Sequence, residues 1–237
     1  MARAPGDSPW SSAILAGGHS KRFGSPKFLS RVGGETLIRR VARAVMPPGG
    51  DLMVVVGREE DPETQEVIAD ELGGIGSIGP GTERGPRLRF VRDTPGPKTL
   101  AAGIEAALVS GESDIVFVAA SDLPFLDRGL VLHLVERVRG YAAAVPFYRG
   151  FYEPACAVYS KRMLPVISRY RRHPGGPLST CFTDPTVVAA RVTEDEIRRF
   201  GEPDMLFLNV NTREDLDRAQ AAYLRSNRRE PERGVLT

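Results

Sequence analysis

Four groups of residues in this chain could handle a phosphorylated ligand. The first is the stretch Ala13-Ile14-Leu15-Ala16-Gly17-Gly18-His19-Ser20-Lys21-Arg22-Phe23-Gly24-Ser25-Pro26-Lys27. A short apolar run ends in two glycines, and a basic loop follows. Without Cβ atoms, Gly17 and Gly18 leave their N–H groups open to close approach by an anion. Arg22 would offer phosphate oxygens a planar fork and Lys27 a point charge. The second group is Ala120-Ser121-Asp122-Leu123-Pro124-Phe125, where a carboxylate directly follows an apolar run. Mg2+ prefers such hard oxygen donors, usually one or two carboxylates beside substrate phosphates. The same Asp122 could instead cap the next helix or turn. The third, Arg92-Asp93-Thr94-Pro95-Gly96-Pro97, has the composition of a turn. A helix N-terminus near Thr99, just beyond it, could receive phosphate or ribose oxygens. The fourth is Leu208-Asn209-Val210-Asn211-Thr212-Arg213-Glu214-Asp215-Leu216. There Thr212 and Asp215 have the spacing of a capping box, and Asn209 and Asn211 are expected to point to opposite faces.

Several other chemistries find no footing. Gly24 is followed by Ser25 rather than Lys, so the first loop is not a Walker A motif, nor is it a G-x-G-x-x-G turn. On its glycines alone it also reads as an ordinary strand-to-helix turn with solvated charges. His19, His133 and His173 lack ligand spacing, and no Ser-His-Asp or Cys-His arrangement can be assembled. Cys156 and Cys181 are too few for a disulfide framework and form no Cys-x-x-Cys pair; Cys156 lies in an apolar run and reads as core. Lysine is scarce among the 32 basic residues. Three of the four lysines, Lys21, Lys27 and Lys98, fall in loops expected at the binding edge of a sheet, and Lys161 does not.

The elements that must position these residues follow from apolar patterning. Strand-like runs are Ala13–Leu15, Leu52–Gly57, Leu88–Val91, Ile115–Ala120, Ala142–Pro146, Pro154–Tyr159 and Leu206–Val210. Several are continuously apolar, as expected of strands covered on both faces. Helical patterns cover Glu35–Met46, Pro62–Leu72, Leu100–Val109, Gly129–Val138, Ser160–Tyr170 and Glu214–Leu224. In the first of these Leu37, Ile38, Val41, Ala44 and Val45 share one face, with Arg39, Arg40 and Arg43 mostly opposite. Repeated strand–helix alternation implies right-handed crossovers and a mainly parallel sheet, whose ligands bind beyond the strands' carboxyl ends. Gly73–Pro86 reads as a long exposed loop, a lid or more simply an insertion tolerated at small entropic cost. No internal repeat or composition break marks a second domain. The net charge of +2 argues for neither a nucleic-acid nor a membrane partner. No apolar run is long enough to span a bilayer and the first nine residues lack a signal-peptide core, so a cytoplasmic location is expected.

The full pattern L-A-G-G-x-S-x-R-x-G-x-x-K resembles the signature of nucleotidyltransferases with a glycosyltransferase-A-like fold. Within them the chain is similar to the molybdenum cofactor guanylyltransferases. The likeness runs from Ala13 to about Ala222. It recurs in Gly96-Pro97-Lys98-Thr99-Leu100-Ala101-Ala102-Gly103, which has residues inserted into the family's Gly-Pro-Leu-Ala-Gly-like loop, and in Ser121-Asp122-Leu123-Pro124-Phe125. Tyr152–Tyr159 matches the family's antiparallel strand near the acceptor. Asn209–Leu216 matches N-[IV]-N-T-P-E-D-L, with Arg213 where Pro is usual but not required. The resemblance implies a single three-layer α/β/α domain over residues 11–226, between flexible tails at 1–10 and 227–237. Its sheet would be mostly parallel and Rossmann-like with one antiparallel strand.

The resemblance also implies roles. Leu15, Ala16, Gly17 and Gly18 would hold the base, ribose and phosphates of GTP. Arg22 and Lys27 would neutralise the triphosphate and the departing pyrophosphate. Asp93 would contact the nucleotide, Asp122 would bind both nucleotide and Mg2+, and Asn211 would complete the metal shell. The acceptor would be Mo- or W-molybdopterin. Being anionic, it could meet Arg169, Arg171, Arg172 and His173, although these also read as a solvated helix end. A phosphate monoester is largely ionised at pH 7, so attack on the α-phosphorus needs no general base. Transient contact with molybdoenzymes or other cofactor-pathway proteins would follow. A cytidylyl-, sugar-phosphate or other guanylyltransferase on the same fold is the alternative enzyme. A non-catalytic nucleotide-binding regulator, which would predict a damaged metal site, is the alternative outside catalysis.

Overall fold

A computed structural model describes residues 10–17, 26–48, 51–58, 62–73, 75, 87–94, 96–173 and 176–228. The strands are β1 (Ser11–Leu15), β2 (Arg31–Val32), β3 (Glu35–Thr36), β4 (Asp51–Val56), β5 (Arg87–Arg92), β6 (Ile115–Ala120), β7 (Ala143–Tyr148), β8 (Phe151–Tyr152), β9 (Cys156–Ser160) and β10 (Ala189–Val192). The helices are α1 (Leu37–Val45), α2 (Pro62–Leu72), α3 (Leu100–Ser110), α4 (Arg128–Arg137), α5 (Leu164–Arg172), α6 (Glu194–Arg198), α7 (Pro203–Leu206) and α8 (Arg213–Arg228).

The main sheet runs β10-β7-β9-β6-β1-β4-β5, with β8 hooked onto β7. Its strands are parallel except β9, which runs against both β6 and β7, and β8, which runs against β7. Successive residues serve opposite faces, as the two-residue period of a strand requires. Ile14, Val54 and Phe117 join a core with α1, α2 and α4. Ala13, Met53, Val55, Val116 and Val118 join a second core with α3 and α5. Both faces are covered, which is why these strands read as unbroken apolar runs. The expected α/β sandwich with one inserted antiparallel strand is the architecture found.

Three expectations change. Leu206–Val210 is not a strand: Pro203 opens the short helix α7, and the segment beyond it joins no ladder. Leu206, Phe207 and Val210 are buried there by packing alone. The sheet's edge is taken instead by β10, beside β7. The helix expected from Glu35 starts at Leu37, because Glu35 and Thr36 pair back onto Arg31 and Val32. The turn of that hairpin holds Gly33 and Gly34 at φ +62° and +81°, a region glycine enters freely. The helix expected from Ser160 is a 3-10 turn, Lys161–Met163, followed by α5. Of the Gly73–Pro86 loop only Gly73 and Ile75 are among the described residues. Among those residues no helix is long and apolar enough to cross a membrane.

Candidate active site

The carboxyl ends of β1, β4, β5 and β6 meet on one rim. Backbone hydrogen bonds extend the sheet past its last residues: the Ala16 N–H donates to Val55 (2.8 Å), Asp93 to Val56 (3.0 Å) and Ser121 to Leu15 (3.1 Å). Residues 16, 93 and 121 are therefore neighbours. Gly17 is closely covered, since a Cβ there would lie 3.1 Å from the Gly57 nitrogen and 3.4 Å from Asp93 Oδ2. At Gly103, on α3, a Cβ would lie 3.2 Å from Leu15 Cδ2 and 3.5 Å from Asp93 Oδ1. The Asp93 carboxylate thus sits between two glycines. Burial raises its pKa, and the charge of Lys98 opposes that rise.

A cavity of about 230 Å3 opens here, lined by Leu15, Gly17, Asp93, Thr99, Leu100 and Gly103 among others. A second, of about 420 Å3, adjoins it through Asp93 and Lys98. Thr99 caps α3 by accepting the Ala102 N–H at 3.2 Å, so the positive end of a helix forms one wall.

The other half of the rim is a cation-centred cluster. Lys27 opens a 3-10 turn whose next residue, Phe28, is buried and anchors it. The Lys27 ammonium donates to Asp122 Oδ2 at 2.5 Å and to Asn211 Oδ1 at 2.9 Å. The Asp122 carbonyl accepts the Val210 N–H at 3.0 Å, which ties the loop after β6 to the segment before α8. Asn211 and Thr212 both donate their N–H groups to Asp215 Oδ2 at 3.0 Å, and the Asp215 N–H donates back to Thr212 Oγ1 at 3.2 Å. This is the reciprocal cap expected from the sequence. The Asn211 N–H, followed by Thr212, holds the Asp215 carboxyl below its ordinary range, with slight burial opposing.

Asp122 is not a helix cap. That place belongs to Asp127, whose side chain accepts the Leu130 N–H at the start of α4. Instead Asp122 Oδ1 is buried and, among the described residues, has no hydrogen-bond partner. An unpaired buried carboxylate oxygen is costly unless something outside the chain completes it. Among the described residues no group of three or more His, Cys, Asp or Glu could enclose a metal. A divalent ion here would have one carboxylate and one amide oxygen from the protein, which leaves positions for phosphate and water. That hard, oxygen-only and incomplete donor set fits Mg2+.

The structure brings Leu15, Ala16, Gly17 and Asp93 to one side of the rim and Lys27, Asp122 and Asn211 to the other. Gly18 and Arg22 lie outside the described residues. Asn209 and Asn211 do not face oppositely: Val210 between them is buried and both asparagines are exposed, lining one cavity of about 510 Å3. Two of the cationic residues near the end of α5 are committed elsewhere. Arg169 pairs with Asp184, and Arg171 pairs with Glu105, a buried carboxylate on α3. Both cysteines are buried, and burial pushes their thiols up, Cys181 to about 12, so neither is a nucleophile at neutral pH.

The sequence reading missed Tyr148, Arg149 and Arg218, which share the cavity beside Asn211. The Tyr148 hydroxyl is buried there and, among the described residues, has no hydrogen-bond partner. The one available signal was the Arg149-Gly150 turn, where both residues take positive φ and β7 doubles back to β8.

Comparison with known proteins now gives this arrangement a family. Residues 12–183 match the family model for the MobA-like NTP transferase domain. A "Probable molybdenum cofactor guanylyltransferase" from Pelotomaculum thermopropionicum is 31% identical over 207 residues, covering 87% of this chain and 90% of that protein. A "Molybdenum cofactor guanylyltransferase" from Desulfosudis oleivorans is 29% identical over 214 residues, covering 88% and 93%. Among solved structures, molybdopterin-guanine dinucleotide biosynthesis protein A from Archaeoglobus fulgidus superposes with a TM-score of 0.68 at 22% identity, covering 91% of this chain and 99% of that one. The 2-C-methyl-D-erythritol 4-phosphate cytidylyltransferase of Thermus thermophilus reaches 0.58 at 19% identity, over 90% and 98%; likeness at that level speaks for the fold alone. With a nucleotidyltransferase rim on the expected sheet, the family's domain across residues 12–183, and a 31% identical relative aligned to most of its length, this chain belongs to the molybdenum cofactor guanylyltransferase family of MobA-like NTP transferases.

Proposed function

We propose that the protein is a cytoplasmic, Mg2+-dependent guanylyltransferase that moves GMP from GTP onto the phosphate of Mo-molybdopterin and releases pyrophosphate. The observation that carries this reading is the Lys27–Asp122–Asn211 cluster, set on the same rim as Gly17 and Asp93, with Asp122 Oδ1 unpaired.

The residues divide the work. Asp93, between Gly17 and Gly103, stands where a carboxylate could accept N–H groups from a base edge. The capped start of α3 and the bare backbone of Gly17 favour ribose and phosphate oxygens. Asp122 and Asn211 would hold Mg2+, which when bound would neutralise part of the triphosphate's charge. Lys27 supplies a full positive charge beside the same carboxylate, and Arg22 precedes it in the sequence by five positions. The attacking phosphate carries its own negative charge, so no side chain needs to remove a proton. Catalysis is then alignment plus charge neutralisation. The acceptor would approach from the cavity of Asn209, Asn211 and Tyr148. Guanylyl rather than cytidylyl transfer is favoured by the names of relatives near 30% identity, whereas the cytidylyltransferase resembles this chain in fold alone.

The deciding assay is pyrophosphate release from purified protein with Mo-molybdopterin and GTP, CTP or ATP. GTP alone should support turnover. Release with CTP alone would make the protein a cytidylyltransferase. Nucleotide binding without release for any acceptor would make it a regulator.

A further inference from the structure

Arg40 lies on α1, behind the rim, and no part of the proposed chemistry uses it. The sequence pattern put it on the helix face opposite the core. Its side chain is nevertheless only 18% exposed, and its contacts reach all three segments that carry the cation cluster. Its Nε donates to the Pro124 carbonyl at 2.8 Å, two residues after Asp122. Its Nη1 donates to the Val32 carbonyl at 3.3 Å, on the hairpin strand that follows the Lys27 turn. Its guanidinium lies 5.6 Å from the Phe125 ring centroid and 5.1 Å from that of Tyr223. Tyr223 belongs to α8, the helix whose capped start holds Asn211, and its ring covers Gly33, where a Cβ would overlap it.

The front of the cluster is incomplete on one side. Among the described residues Asp122 Oδ1 has no hydrogen-bond partner, and Oδ2 is met by the Lys27 ammonium. The carboxylate must be aimed from behind, by its backbone. The Val210 N–H on the Asp122 carbonyl is one restraint, and Arg40 on the Pro124 carbonyl is the next. A planar guanidinium can donate to both carbonyls along its edge while its faces meet Phe125 and Tyr223, whereas a lysine ammonium is a point charge without that fork or those faces. Burial lowers the Arg40 pKa while Glu35, 3.8 Å away, raises it. An arginine stays charged through such a shift.

We infer that Arg40 is a positioning residue, which holds the Lys27, Asp122 and Asn211 segments in register so that their oxygens and ammonium meet one cation and one triphosphate. The inference rests on reading Asp122 and Asn211 as metal donors. Groups that orient metal ligands from behind typically carry a 10- to 100-fold share of metal affinity.

The test is Mn2+ titration followed by electron paramagnetic resonance, in the presence of GTP, with full-length wild type, Arg40→Met, Arg40→Lys, Tyr223→Leu and Asp122→Asn. Circular dichroism establishes that each is folded. Arg40→Met and Arg40→Lys should each bind Mn2+ about tenfold more weakly, and Tyr223→Leu less severely but in the same direction. GTP binding in EDTA should weaken less than Mn2+ binding, since α3 and Asp93 are untouched and only the Lys27 contact to the triphosphate is misplaced. In the Asp122→Asn background, Arg40→Met should weaken Mn2+ binding by less than it does in wild type. A purely structural role predicts a lower Tm with unchanged Mn2+ affinity of the folded fraction, and that result overturns the inference. Should the Arg40 variants fail to fold, unchanged affinity in Tyr223→Leu overturns it equally. Wild-type Mn2+ affinity in Asp122→Asn would refute the metal-site reading itself. Loss there with none in the folded Arg40 variants would refute the role of Arg40 alone.

Discussion

Replacing Lys27 by Met separates what the ammonium does for the fold from what it does for the reaction. Met keeps most of the stem and removes, among other contacts, the hydrogen bonds to the Asp122 carboxylate at 2.5 Å and to the Asn211 amide at 2.9 Å. A hydrogen bond to a charged group is worth about 1.5–3 kcal/mol. Two effects reduce that here. The side chains of Lys27 and Asp122 remain 19% and 13% exposed, so water screens the pair. A pinned lysine also gives up rotamer freedom of about 1.5–2 kcal/mol, which the variant regains. The net loss should be about 1–2 kcal/mol, a fall in Tm of about 2–8 °C for a chain of this size. The kinetic loss should be larger, because removing a preorganised charge at developing oxyanions costs about 10²–10³ in rate. The assay is GMP transfer at saturating GTP, beside a melting curve. A folded variant that turns over within about tenfold of wild type would show that the ammonium holds the loop together and takes no part in the chemistry. A Tm collapse of 15 °C or more, on the order of 4 kcal/mol or beyond, would show that the pair's burial had been underestimated.

Asp122→Ala should abolish transfer and leave the circular dichroism spectrum unchanged, since its side chain caps no helix. Thr99→Ala removes the cap of α3 and should cost about 1 kcal/mol, seen as a lower Tm and a raised KM for GTP, because the first turn of that helix lines the nucleotide cavity. Gly33→Ala forces an L-residue to φ +62° and into the ring of Tyr223. It should cost at least about 1–2 kcal/mol in melting experiments, and less in combination with Tyr223→Leu. Asp215 governs an acid-side effect. Its folded-state pKa lies below the ordinary carboxylate value, so its contribution is complete above about pH 5 and fades as the pH falls through about 4 toward the lowered pKa. Asp215→Asn should therefore flatten the drop in Tm between pH 5 and 3, and an unchanged profile would remove the Asn211 cap from the account.

Much of the fold was legible because buried strands advertise themselves. Leu52–Val56 and Ile115–Ala120 are apolar at every position, since helices cover both faces. The failures share a cause. Leu206, Phe207 and Val210 are as buried as any strand residue, but burial does not specify backbone pairing, and Pro203 had already committed the chain to a helical turn. β10 was overlooked because it is short and its Arg191 is exposed, so its run of apolar residues is broken. The hairpin before α1 could have been read from Gly33-Gly34 between two short extended pairs. At the site, the spacing after each strand marked Asp93 and Asp122, since both sit where a parallel strand releases the chain. No sequence period links Lys27 to Asn211, 184 positions later. Only the convergence of two loop segments makes them neighbours. Arg40 was invisible for the same reason: its partners Pro124 and Tyr223 come from two other elements, and by helical periodicity it looked like surface.

The reversed strand β9 has a consequence for how such enzymes can diversify. Every forward strand gives the rim its end, whereas β9 gives it a beginning, so the stretch from Tyr148 through Arg149-Gly150 and β8 to Cys156 doubles back beside β7 at the proposed acceptor side. Insertions at the Arg149-Gly150 turn would reshape that side without moving Gly17 or Asp93, which follow β1 and β5, whereas Ala155 and Cys156 are tied to β6 just before Asp122. On the proposed reading, donor and recipient would be met by different stretches of chain, and a lineage could exchange one while inheriting the other.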